Sequence, residues 1–83
     1  MSQTSLETDS NLTPEEVVNK AKKYFVEEWG MEVVDEAECC LRLQGGGGHV
    51  FIQATPEDGR TIVTLEGREW SHQLVNFMAD ITA

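Results

Sequence analysis

The sequence predicts an α+β fold of order α-β-β-β-β-α, with both helices packed on one face of a four-stranded antiparallel meander. Three observations carry that expectation. Apolar residues recur at helical spacing from Val17 to Trp29 and again from Trp70 to Ile81. Between them, four short runs alternate apolar and polar residues with a period of two. Turn-forming stretches, DEAE, GGGG and PEDG, separate those runs.

Residues 1–11 are polar, carry Ser, Thr and Asn, and show no periodicity. They are expected to form a disordered N-terminal tail. The folded part is then a single small α+β domain over residues 12–83. Its first helix opens on strong local signals. Thr13 suits the N-cap, Pro14 the first helical position, and Glu16 completes a capping box. Val17, Val18, Ala21, Tyr24, Phe25 and Trp29 form the apolar stripe, and Gly30 supplies the left-handed residue that ends the helix.

The first strand is MEVV, with Met31 and Val33 on one face. In CCLRLQ, Cys39, Leu41 and Leu43 face one way and Cys40, Arg42 and Gln44 the other. HVFIQAT turns Val50, Ile52 and Ala54 to the apolar side, and RTIVTLE adds Val63 and Leu65. The glycine run joins two of these strands. A hairpin with two turn residues (Gly46, Gly47) or with four pairs Leu43 with Val50 and Leu41 with Ile52 in either case. The PEDG hairpin likewise keeps Val63 and Leu65 on the apolar face with a two-residue Asp58-Gly59 turn or a four-residue loop. A slip by one residue would expose the whole set, so this agreement supports the meander. The first hairpin is expected to contain a longer loop or a bulge, because a tight Glu36-Ala37 turn would bury Glu32. In the last element, Trp70, Leu74, Phe77, Met78 and Ile81 share one helical stripe.

Charge narrows the partners. Six Lys and Arg stand against fifteen Asp and Glu in 83 residues, a formal net charge of −9. Phosphate backbones need a basic patch, so nucleic acid is not an expected partner. No stretch approaches the ~20 apolar residues of a membrane helix. The N-terminus has no signal-peptide pattern. Adjacent Cys39 and Cys40 would diverge if both lay in one strand, so free thiols in a reducing cytoplasm are expected, with Cys39 as a small core residue.

The chemistry-bearing residues form no known signature. Cys39, Cys40, His49 and His72 lack zinc-site spacing, and the chain has no GxSxG, HExxH or kinase motif. No cofactor, metal or catalytic residue is assigned, and the chain is read as non-enzymatic. A His49–Glu66 pair across the meander would be a surface contact. The second face of the sheet is the first binding candidate. Phe51, Ile62 and Val34 are apolar residues on an otherwise polar face, and Arg42 is placed to stack on Phe51. These four mark a surface for a protein partner or a homodimer. The alternative is a small-molecule or anion-binding domain. It would use Gly46 and Gly47 of the Gly45–Gly48 loop with the adjacent His49, or a helix–sheet cleft lined by Trp29, Tyr24 and Trp70. Glu32, Asp35, Glu36 and Glu38 form an acidic edge that opposes pairing with other chains.

Overall fold

The computed structural model describes residues 3–83. It has five strands and two helices: β1 (Gln3–Ser10), α1 (Pro14–Ala21), β2 (Glu32–Glu36), β3 (Cys40–Gly45), β4 (Gly48–Glu57), β5 (Arg60–Arg68) and α2 (Ser71–Ile81). The strands form one antiparallel sheet in the order β1-β5-β4-β3-β2. The α+β class and the β2–β5 meander agree with the sequence. The strand count does not, because β1 is a fifth strand.

β1 corrects the expected disordered tail over residues 3–10, while Met1 and Ser2 lie outside the described residues. The strand pairs with β5 from Gln3↔Arg68 to Ser10↔Thr61. Thr4, Leu6, Thr8 and Ser10 turn toward the helices, and Gln3, Ser5 and Glu7 turn away. Three of the four inward residues are hydroxylated, so an apolar alternation never appears in the sequence. Ser10 and Thr61 are buried opposite each other. The Ser10 hydroxyl accepts the Leu12 N–H at 3.2 Å, and the Thr61 hydroxyl donates to the Leu12 carbonyl. That pair of bonds satisfies two buried polar groups and aims the chain into α1.

The capping box at Thr13 and Glu16 is present in both directions, at 3.1 and 2.9 Å. From Lys22 to Glu28 the helix continues with π-helical winding. The wider turn shifts residues off the stripe that α-helical spacing implies. Val17, Val18, Ala21 and Phe25 stay buried, but Trp29 ends 47% exposed. Gly30, at φ +72°, closes the helix with its N–H on the Val26 carbonyl at 3.0 Å.

The first hairpin has the bulge that keeps Glu32 outward; of Met31 and Val33, both expected inward, Met31 is buried and Val33 is exposed, because β2 is an edge strand. Val33 opposes Leu43 and Asp35 opposes Arg42, with Val34 between them lacking a partner on β3. The turn itself is tight. Ala37 and Cys40 exchange backbone bonds at 2.8 and 3.3 Å, leaving Glu38 and Cys39 at the tip. Both later hairpins use the two-residue option. Gly45 pairs with Gly48, and Glu57 with Arg60. Positive φ at Gly46, Gly47, Asp58 and Gly59 suits the turn twist that matches paired strands.

One face of the sheet carries the core: Leu41, Leu43, Val50, Ile52, Val63 and Leu65 are fully buried against Phe25, Leu74 and Phe77. Tyr24 stacks on Phe77 with centroids 6.0 Å apart, and Phe77 meets Phe25 at 5.6 Å. Among the described residues, no helix lies on the second face.

Candidate functional site

The second sheet face is set by strand alternation. Arg42 on β3 stands opposite Phe51 on β4, and its guanidinium carbon lies 4.7 Å from the ring centroid. A cation over a partly exposed ring contributes about 0.5–1 kcal/mol. Asp35, Glu36, Ala37, Cys40, Leu41, Arg42 and Phe51 border a hollow of about 260 Å³ beside this pair. Ile62 belongs elsewhere on the face. Phe51 opposes Glu66, whereas Ile62 opposes Thr55 and Asp9. Four residues along a strand separate the two positions, roughly 13 Å at the strand rise. Val34 sits at the bulged edge, 52% exposed. The structure therefore joins Arg42 and Phe51 and leaves Ile62 and Val34 at the margins.

The glycine loop has a structural explanation residue by residue. Gly46 and Gly47 form the turn at φ +57° and +81°. Gly48 is held where a Cβ would fall 1.9 Å from the Arg68 carbonyl oxygen. Gly45 accepts a hydrogen bond from the Trp70 indole N–H at 2.8 Å. Trp70 thus locks the loop to the start of α2. Trp70→Phe deletes that donor and the part of the indole that reaches Gly46. Urea unfolding should show a loss of about 2–3 kcal/mol with the slope unchanged.

The three residues named for a helix–sheet cleft divide into two groups. Tyr24 is engaged by Phe25 and Phe77, and Trp29 meets Trp70 edge-on at 6.1 Å. The open groove near the loop, about 770 Å³, is lined by Gly30, Met31, Glu32, Gln44, Gly45, Gly47 and Gly48. Neither Trp lines it, and neither does His49. The register also sets His49 opposite Arg68, not Glu66.

Cys39 and Cys40 correct the free-thiol expectation, because they are joined as a vicinal disulfide. The two do not lie in one regular strand. Cys39 occupies the hairpin tip and Cys40 begins β3, so their side chains are not forced to opposite faces. Cys39 is exposed and is not a core residue. Alternation read from Cys39 starts one residue before the strand does, which hides the pair in the sequence. Among the described residues, no group of three or more His, Cys, Asp or Glu is placed to share a metal ion. No described helix is long and apolar enough to cross a membrane.

No protein-family model and no curated protein matches the chain. A solved structure does: the solution structure of the Aha1 dimer from Colwellia psychrerythraea, at 12% sequence identity and a TM-score of 0.65. The match covers 96% of this chain and 92% of the other. At that identity the likeness concerns the fold, and this chain is similar to that protein in its path of strands and helices.

Proposed function

We propose that this chain is a non-enzymatic interaction domain that self-associates through the second face of its sheet. The observation that supports the reading is the one-sided packing: both helices cover the same face, and the other presents Phe51 under Arg42 beside a hollow. An aromatic residue and an Arg at the centre of a polar surface are the residue types that anchor interfaces. The dimeric state of the similar solved structure is a precedent for association in this fold and says nothing about the surface used. The reading names no compartment, since the Cys39–Cys40 bond removes the free-thiol argument for a reducing cytoplasm.

Sedimentation over a wide concentration range tests it. The wild type should pass from monomer to dimer, and Phe51→Ser combined with Ile62→Thr should stay monomeric with unchanged circular dichroism. A wild type that stays monomeric at the highest concentration removes the proposal. A small-ligand role attaches instead to the open groove at Gly30–Glu32 and Gln44–Gly48. A metabolite that raises the melting temperature, and fails to do so after Glu32→Lys, would favour that role.

A further inference from the structure

The β2 edge of the sheet has a character of its own. Four large apolar residues are exposed among those described: Trp29, Val33, Val34 and Val75. Two of them, Val33 and Val34, are adjacent on this one edge, and Trp29 precedes it in the chain. Single exposed apolar side chains need no explanation, but a cluster on an open strand marks a contact surface. All five residues of β2 are exposed, and β3 is their only strand neighbour among the described residues. The opposite edge differs. The end of β1 is covered by the Ser10↔Thr82 bridge and by the Ala83 N–H on the Asp9 carbonyl at 2.9 Å.

Charge selects the occupant. Glu32, Asp35, Glu36 and Glu38 run along this edge, and Lys22, 2.9 Å from Glu36, is the one cation in an ion pair with them among the described residues. Glu15 joins Glu36 and Glu38 around a shallow groove of about 290 Å³ floored by Val18, between α1 and the end of β2. A second copy adding here would set these carboxylates against their own kind, which destabilises cross-strand pairs. A strand of opposite charge meets no such repulsion and finds the exposed Val33 and Val34 beside it. The bulge at Val34 confines its ladder to the regular stretches on either side.

We infer that β2 is a docking edge for an extended segment of a partner protein in which basic and apolar residues alternate. The segment adds as a sixth strand. Its main chain bonds to β2, its basic residues meet Glu32 and Asp35 on the second face, and its apolar residues cover Val33 on the other. This edge adjoins the Phe51 hollow, which Asp35 and Glu36 also border, but the groups that would form the ladder are the main chain of β2, so strand addition does not require Phe51 or Ile62.

The probe is an end-capped peptide of four Lys-Val repeats, titrated at moderate salt against the labelled protein. Amide shifts are expected over residues 29–36, and the Phe51→Ser, Ile62→Thr variant should bind equally well. The control peptide has alternate backbone amides N-methylated, which keeps the charge and removes the ladder donors. It should bind at least about tenfold more weakly, as loss of ladder bonds requires. Equal affinity for the two peptides would mean charge attraction alone and would overturn the inference. So would shifts confined to another surface, or no binding of the unmodified peptide.

Discussion

Gly48→Ala should lower stability by about 3 kcal/mol or more, at the upper end of what overpacking causes. The added Cβ would lie 1.9 Å from the Arg68 carbonyl oxygen and 2.8 Å from the Glu69 Cβ. Neither obstacle is the free end of a flexible side chain. The Arg68 carbonyl belongs to the end of β5, and Glu69 is held at φ +71° as the chain turns into α2. Relief requires β4 and β5 to part where Trp70 also anchors the glycine loop. Gly47→Ala is the natural comparison, because nothing lies within 4 Å of a Cβ there. Its cost is the left-handed backbone alone, about 1–2 kcal/mol. Urea denaturation of both variants checks the order. Similar losses would show that turn conformation, not the β4–β5 approach, sets the need for glycine.

Removal of residues 1–10 should unfold the protein or leave it aggregation-prone. A disordered tail can be trimmed with no change in melting temperature. β1 cannot, because its loss strips β5 of a full partner strand and uncovers Leu65 and Val63 opposite Leu6 and Thr8. It also removes the Ser10 hydroxyl from the Leu12 N–H, and the Asp9 carboxylate from Arg60 at 3.0 Å. The surface ion pair contributes little by itself. The backbone ladder and the newly exposed edge dominate. Thermal unfolding and light scattering on the shortened chain decide the matter. An unchanged transition would return residues 3–10 to the status of a tail.

Much of the architecture is legible locally. Leu41, Leu43, Val50, Ile52, Val63 and Leu65 are buried as their alternation requires, and Leu74, Phe77 and Ile81 as their helical spacing requires. Even the Arg42–Phe51 stack follows from register, since residues on one face at neighbouring strand positions must meet. The candidate surfaces were less legible. Ile62 is on the expected face but at a distance from Phe51 that depends on which turn PEDG adopts. Trp29 satisfies helical spacing on paper and is exposed because the helix widens before reaching it.

The sequence by itself determined which side chains of β3, β4, β5 and α2 face the core, and those of α1 up to Phe25, because a period of two or of 3.6 is a local property of the backbone; Trp29, Val33 and Cys39 escaped it. It also determined where the meander turns and that α1 begins at Thr13 and Pro14. Only the tertiary structure decided that Gln3–Ser10 is a strand. Its inward Thr and Ser residues carry little hydrophobic signal, and what holds them is the hydrogen-bonding edge of β5, some sixty residues away. The tertiary structure also decided that Cys39 and Cys40 are bonded, because that depends on a turn at Glu38-Cys39 whose position the bulge at Val34 sets. The glycine run divides the same way. Any hairpin through it keeps the core in register, but the need for glycine at Gly48 comes from Arg68 and Glu69, contacts no local pattern contains.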